Sequence, residues 1–356
     1  MTNFRLLKRT RQTTEYSCGA SALQSVLAWW GKDVDERELM TLMGTSEEEG
    51  TYPERIAQAA RALGFDAEVK QNLTLDEVQT ITAGGDPMIA LAQVWRGTKS
   101  GKLGEDWDAG HYMSVLGVDA DNVYFQDPYV RNCKAFVPRE FFEAHWQHVM
   151  GGKVDKNPKL MRLGIVIRGQ QRAPASLADE VKLASLDFGK FGSLNLIVAK
   201  FRGSVFPIDI LEDVKGLLDP GSIRANAFLF LRKGPDGKVA GMEGSGLEDA
   251  ADVVEFNAIV TAVTSRMIVG TPGATTMREA AQAAAEGDFG LSAEALRAVA
   301  DRLQPGESAL VVFFENLWER RFREIAAKYD GEIVNQRLVT PRALVEAAQK
   351  LVAISG

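Results

Sequence analysis

A helix that starts at a cysteine constrains the fold of this chain more than any other feature of its sequence. Residues 12–18 read Gln-Thr-Thr-Glu-Tyr-Ser-Cys, a polar stretch that predicts extended backbone. Residues 20–30 then run without a helix breaker, and Gly31 stands where a left-handed residue commonly ends a helix. Cys18 therefore falls at or just before the first helical turn.

The position of Cys18 permits two interpretations. Unpaired N–H groups and the positive end of the helix dipole lower the pKa of a thiol at a helix N-terminus, and the thiolate is the nucleophilic form. Gly19 would leave room for a substrate carbonyl to approach the sulfur, and the side-chain amide of Gln12 could serve an oxyanion hole. Alternatively, Cys18 is a small core residue, as most free cysteines are.

Three histidines, His111, His145 and His148, are the candidates for a general base. His111 follows the polar loop 96–110 and begins an apolar, β-branched run that predicts a buried strand, so it is well placed to face a cleft. We expect His145 and His148 on an amphipathic helix, at the surface or at the helix end. Their spacing suits a metal, but no third ligand cluster lies nearby, so we expect no zinc site.

The segment after His111 predicts a β-hairpin that ends in an acidic residue. Residues 119–122 form a turn cluster, and the second strand ends at Asp127, where Pro128 stops it. An aspartate on a neighbouring strand can accept the other imidazole N–H and fix the tautomer, which would complete a Cys-His-Asp triad. Alternatively, Asp127 is an ordinary turn residue before a proline.

The simplest register of this hairpin does not bring Asp127 to His111. If the strands pair directly across the turn, Asp127 lies opposite Ser114, roughly 10 Å along the strand from His111. A bulge near Gly117, or a strong twist, is needed to bring the two side chains together.

The pattern Gln-x5-Cys-Gly-Ala, a later Gly-His-Tyr entering a strand, and an Asp-Pro beyond it resembles the papain-like cysteine peptidases that remove double-glycine leaders from bacteriocins. The resemblance covers about residues 5–170. In that family a glutamine supplies the oxyanion hole, a cysteine attacks, a histidine is the base and an aspartate orients it. The resemblance gives these roles to Gln12, Cys18, His111 and Asp127.

Two departures from that family bear on the substrate. Ser17 stands where the family often has an aspartate before the cysteine, and we expect no attached transporter. Members of the family accept small residues, typically Gly-Gly or Gly-Ala, before the cut, because a narrow cleft excludes side chains. Here Tyr112 and Trp107 could form such a narrow wall.

Composition narrows the function classes. With 46% hydrophobic and 25% charged residues the chain is an ordinary globular one, and its net charge of -7 argues against a nucleic-acid partner. Two cysteines favour a reducing compartment. We expect Cys133 to be incidental, although a reversible disulfide with Cys18 stays open. No apolar signal segment and no apolar stretch of about 18 residues is present, which predicts a cytoplasmic protein without a membrane-spanning segment.

The predicted fold class is α+β, with a papain-like cysteine peptidase domain followed by a ferredoxin-like α/β sandwich. The predicted division is 1–170 for the peptidase domain, 171–193 for a linker and 194–356 for an assembly or recruitment domain with an insertion at 256–287. The second half predicts strands at 194–201, 225–232, near 239, at 309–314 and 332–339, and helices at 208–218, 293–303 and 317–329.

The second half contains no histidine and no cysteine, so we expect no catalytic constellation there. It resembles small bacterial α+β proteins of unassigned function. One face of its sheet is predicted to carry Leu196, Val198, Phe228, Phe230, Val311 and Phe313. Since the alternate positions are apolar too, both faces need cover, either from the insertion or from a second copy of the chain. We favour a homo-oligomer formed through this domain.

The sequence thus predicts a cysteine peptidase that cleaves a peptide or protein substrate, with small residues such as Gly-Gly before the cut and without a cofactor. The alternative is a catalytically vestigial, papain-like module for peptide binding or structural assembly. Acyl transfer to an amine other than water would use the same residues, so the sequence does not separate ligation from hydrolysis.

Overall fold

The computed structural model is α+β. It describes residues 7, 10–93, 110–129, 134–150, 159–170, 191–192, 194–203, 210, 222–247, 252, 256 and 299–329. Several predicted features lie outside the described residues: Trp107, Cys133, nearly all of the linker, the insertion beyond Phe256, and the strand at 332–339.

The described residues form six helices and twelve strands. The helices are α1 (Cys18–Trp29), α2 (Glu36–Met43), α3 (Pro53–Ala62), α4 (Leu75–Ala83), α5 (Arg139–His145) and α6 (Leu317–Lys328). The strands of the first half are β1 (Asp66–Lys70), β2 (Met88–Ala92), β3 (His111–Val118), β4 (Asn122–Gln126), β5 (Lys134–Pro138), β6 (Gln147–Val149), β7 (Lys159–Met161) and β8 (Gly164–Arg168). Those of the second half are β9 (Leu194–Arg202), β10 (Ile223–Lys233), β11 (Val239–Gly244) and β12 (Glu307–Asn316).

Helix α1 lies at the centre of the first half. It is buried along most of its length, and the side chain of Ser25 contacts Ser114 of β3, with 3.3 Å between the two hydroxyl oxygens. Gly31 follows the helix with a φ of 82°, as predicted, because only glycine adopts that left-handed backbone without strain. The helix thereby holds its first residue, Cys18, against the sheet.

One antiparallel sheet of ten strands runs through both halves, in the order β1-β8-β2-β3-β4-β5-β11-β10-β12-β9. Strands β6 and β7 form a separate two-stranded sheet. Helices α1, α2 and α3 cover one face of the first-half strands, and α4 and α5 pack against the other. Among the described residues, no helix is both long enough and apolar enough to cross a membrane.

The two predicted domains meet through paired strands. Met242 of β11 lies opposite Ala135 of β5, in antiparallel register. The Met242 side chain is 0% exposed and belongs to the same buried core as Trp146 and Phe142 of the first half, whereas Phe136 of β5 packs against the core of the second half. Each half therefore fills part of the other's core.

Both faces of the second-half sheet are apolar, as the sequence predicted. The assignment of residues to those faces was partly wrong. Val311 lies opposite Leu229, and Phe230 lies opposite Leu310, so Phe228 and Phe230 face away from Val311. The pairing of β10 with β12 contains an irregularity between Ala225 and Ala227, and such a register cannot be read from one strand alone. The ferredoxin-like topology stays a prediction, because its remaining elements lie outside the described residues.

We expect Met242→Ala to lower the free energy of unfolding of the full chain by about 2–5 kcal/mol, because it leaves a cavity in the shared core. Chemical denaturation followed by tryptophan fluorescence measures this change. Met161→Ala removes the same side chain from an exposed position and should cost less than about 0.5 kcal/mol. Equal stability of both variants would contradict the shared core.

Candidate active site

Cys18 is the first residue of α1 and is partly exposed. Ser17 occupies the N-cap position, but its hydroxyl bonds Thr14 instead of the helix: it accepts from the Thr14 N–H (3.0 Å) and donates to the Thr14 carbonyl (3.2 Å). The first turn of α1 therefore has no side-chain cap. Its backbone N–H groups place the positive end of the helix dipole next to the thiol.

His111 connects the thiol to a carboxylate. It is the first residue of β3, its Nε2 lies 2.7 Å from Oδ1 of Asp127, and its imidazole lowers the pKa of the Cys18 thiol. Because Nε2 is bound to the carboxylate, Nδ1 is the ring nitrogen left for the sulfur. Asp127 is 1% exposed, so its bond to the imidazole is shielded from water.

A β-bulge brings Asp127 to His111, at the place where the sequence required one. Strand register shifts between Val115 and Gly117 of β3, so that one extra residue is accommodated. Gln126 then lies opposite Ser114, so Asp127 comes level with the residue that precedes Ser114 in β3. Since side chains alternate along a strand, this shift places Asp127 on the same face as His111 rather than on the opposite one.

Asp127 is also a turn residue before a proline, as the alternative interpretation predicted. Its Oδ1 accepts the backbone N–H of Tyr129 at 2.8 Å, which closes a turn around Pro128. The carbonyl of Pro128 in turn accepts the backbone N–H of Gln12 at 2.8 Å. The turn thus fixes the carboxylate and ties the segment before Cys18 to it.

The Gln12 side chain is buried and lies against its own segment. Its Nε2 donates to the Thr14 carbonyl at 2.8 Å, while its Oε1 has no partner among the described residues. An amide nitrogen carries two hydrogens, and the bond to Thr14 uses one of them. The role of Gln12 in an oxyanion hole stays a prediction.

The Cys18–His111 pair favours its charged form. Burial raises the pKa of the Cys18 thiol, but the hydrogen bond and charge of His111 and the backbone N–H of Tyr112 outweigh it, so the thiol pKa is lowered. Burial lowers the pKa of His111, but the charge and hydrogen bond of Asp127, together with Cys18, raise it to about 10. Each group stabilises the charge of the other, which favours a thiolate beside an imidazolium.

The surroundings of Gly19 and Tyr112 bear on two expectations about the cleft. A Cβ on Gly19 would lie 3.2 Å from atoms of Ile56, Thr51 and Tyr112, so close packing around α1 favours a glycine at this position. Tyr112 is buried, and its hydroxyl donates to the Thr51 carbonyl at 2.9 Å. Its side chain supports the helix and does not line a cleft.

The other two histidines are buried rather than at the surface, although His145 lies at the end of a helix, as expected. His145 ends α5, stacks on Phe141 and bonds that residue's carbonyl through Nδ1 at 2.6 Å; burial lowers its pKa. His148 is on β6 rather than on a helix, because α5 stops where Trp146 enters the core. Its Nδ1 accepts the N–H of Gly110 at 3.1 Å. Within the described residues, no group of three or more potential ligands could hold a metal ion.

Comparison with known proteins agrees with this arrangement. Residues 7–151 match the model of the Peptidase C39 family, which confirms the predicted resemblance and supports a cysteine peptidase domain over that part of the chain. Comparison with curated protein sequences finds no significant match.

Solved structures similar to this chain include three peptidase domains of transporters. The peptidase domain of Streptococcus ComA, a bi-functional ABC transporter involved in a quorum sensing pathway, is 23% identical over 46% of this chain and 100% of its own, with a TM-score of 0.34. A double glycine motif protease from an AMS/PCAT transporter, in complex with the leader peptide, is 17% identical over 47% and 94%, with a TM-score of 0.32. The peptidase domain of Streptococcus mutans ComA is 19% identical over 46% and 99%, with a TM-score of 0.30.

We expect Asp127→Asn to make His111 titrate at a lower pH, by about one to three pH units, because the charge that stabilises the imidazolium is lost while the turn to Tyr129 can still form. The NMR signals of the three histidines, followed against pH, measure this change. Asp119→Asn alters an aspartate in the turn of the same hairpin, away from His111, and should leave the titration as in the wild type. An unchanged His111 titration in Asp127→Asn would refute the assigned coupling.

Proposed function

We propose that this protein is a cysteine peptidase in which Cys18 is the nucleophile, His111 the acid and base, Asp127 the residue that orients the imidazole, and Gln12 an oxyanion donor. The observation that carries the proposal is the bond of 2.7 Å between His111 and Asp127, together with the lowered pKa that His111 gives the Cys18 thiol at the N-terminus of α1. The match of residues 7–151 to the Peptidase C39 family supports it independently.

Acylation begins with the thiolate of Cys18 attacking the carbonyl carbon of a peptide bond. The carbonyl oxygen gains negative charge, which the Cys18 backbone N–H and the second amide hydrogen of Gln12 stabilise. His111 then gives its proton to the leaving amine, the C–N bond breaks, and a thioester remains on Cys18. The carboxylate of Asp127 keeps the ring oriented throughout.

Deacylation uses the same residues in reverse. The neutral imidazole of His111 removes a proton from a water molecule, which attacks the thioester carbonyl through the same oxyanion intermediate. The C–S bond breaks, the carboxylic acid product leaves, and the thiolate–imidazolium pair is restored. An amine in place of water would give ligation.

We propose a peptide or protein substrate with small residues, such as Gly-Gly, before the scissile bond. The support is the predicted resemblance to double-glycine-leader peptidases and the family match over the same segment. No cofactor takes part in the proposed steps, since thiol, imidazole and water supply every bond change. We place the protein in the cytoplasm on its cysteine content.

We expect Cys18→Ala and His111→Ala each to lower peptide hydrolysis by at least about 10³-fold, because triad members act as a unit. Mass spectrometry of a peptide library incubated with the full chain measures the rate and the residues before the cut. Cys133→Ser serves as the matched control and should keep wild-type activity. Cleavage after bulky residues would overturn the proposed specificity, whereas binding without any cleavage would favour the vestigial module.

We also propose that the second half is a ferredoxin-like assembly or recruitment domain through which the chain forms a homo-oligomer. Strand β9 pairs with β12 on one side and is the last strand of the described sheet, and two of its apolar side chains, Ile197 and Val198, are 50% and 59% exposed. Such an edge offers unpaired N–H and C=O groups to a second copy.

In sedimentation of the full chain at micromolar concentration, we expect Val198→Lys to shift an oligomer towards the monomer, because a charged edge residue opposes strand pairing. Leu42→Lys introduces the same charge at an exposed apolar residue of α2 and should leave the oligomer intact. A wild-type chain that sediments as a monomer would contradict self-association.

A further inference from the structure

The backbone beside His111 is held by a segment that the proposed mechanism does not use. In the pairing of β2 with β3, Ala92 lies opposite His111, and this is the last residue pair of the two strands. The Gly110 N–H, next to His111, donates to Nδ1 of His148 at 3.1 Å. On the other strand the Gln93 N–H donates to the backbone carbonyl of His145 at 2.9 Å. Residues 145–148 therefore hold both strand ends.

We propose that His148 is a positioning residue for catalysis: by binding the Gly110 N–H it fixes where the His111 imidazole lies between Cys18 and Asp127. This inference rests on the proposed peptidase function. His148 contacts no reacting atom, so its effect would pass through the backbone of Gly110.

The contact between His148 and Gly110 is close and specific. A Cβ built on Gly110 would overlap the His148 ring, so no larger residue fits there unless the imidazole moves. This gives a physical reason for a glycine directly before His111. The close approach also means that a displacement of either residue must displace the other.

His148 is itself rigidly supported. It is 8% exposed and lies in the middle of β6, opposite Leu160 of β7. Because its Nδ1 accepts a hydrogen bond, the ring is in the tautomer that carries its proton on Nε2. A buried, strand-borne acceptor is suited to fixing a neighbouring chain, since neither its backbone nor its ring can move freely.

The position of the His111 imidazole, which His148 would fix through Gly110, matters for the rate of catalysis. The imidazole of His111 must meet a sulfur on one side and a carboxylate on the other, and a misplacement of about 1 Å can cost on the order of 100-fold in rate. A partly buried N–H that loses its acceptor is also unfavourable, so the chain at Gly110 would shift to find another partner.

Two substitutions of His148 separate positioning from packing. His148→Leu fills the site but removes the acceptor, and we expect kcat to fall roughly 10- to 100-fold with KM little changed. His148→Asn places an amide oxygen where Nδ1 stood, and it should recover most of the lost turnover. His145→Leu alters a buried histidine of the same segment, away from Gly110, and should leave kcat near the wild-type value.

Two further readouts report on His111 directly. In His148→Leu, the NMR titration of His111 should move to lower pH and alkylation of Cys18 by iodoacetamide at pH 6 should slow, because the ion pair is misaligned. His148→Asn should restore both. Gly110→Ala, which forces the same displacement from the other side, should reproduce the losses and provides the test if His148→Leu does not fold.

The proposal is overturned if His148→Leu and Gly110→Ala keep wild-type kcat and His111 titration, or if His145→Leu loses as much turnover as His148→Leu at equal thermal stability. A wild-type chain that cleaves no peptide would instead refute the proposed function. In that case the His111 titration and Cys18 alkylation of the same variants still decide whether His148 positions His111.

Discussion

A single extra residue in β3 decides whether the candidate catalytic groups can meet. Side chains alternate across a strand, so the unbulged hairpin would place Asp127 and His111 on opposite faces of the sheet. The shift between Val115 and Gly117 returns them to the same face, and the bond of 2.7 Å between Nε2 and Oδ1 follows. Without that bond the charge on the imidazole, and with it the thiolate of Cys18, would lose its main support.

The electrostatics of the site depend on burial and pairing together. Burial alone would keep both Cys18 and His111 neutral, because it opposes charge on either group. Their contact, the carboxylate of Asp127 and the backbone N–H of Tyr112 reverse that preference. The low local polarity then strengthens each remaining interaction, so the same burial that opposes isolated charges stabilises the paired ones.

Local chemistry explains what the sequence could predict. The helix that follows Cys18, its end before Gly31 and the need for a bulge near Gly117 all depend on residues close together in the chain, and each is confirmed. The close packing around Gly19 and the contact of His148 with Gly110 depend on segments distant in sequence, and no local pattern signals them. The roles of the four site residues remain predictions that this geometry supports.

The junction of β5 with β11 links the second half of the chain to the site. Strand β5 begins soon after the turn that holds Asp127. Without β11, β5 would be an exposed edge strand, and the core beside it would lack the side chain of Met242. Pairing with β11 satisfies the β5 backbone on that side and fills that core. The second half therefore stabilises β5, which pairs in turn with β4, the strand that leads to Asp127.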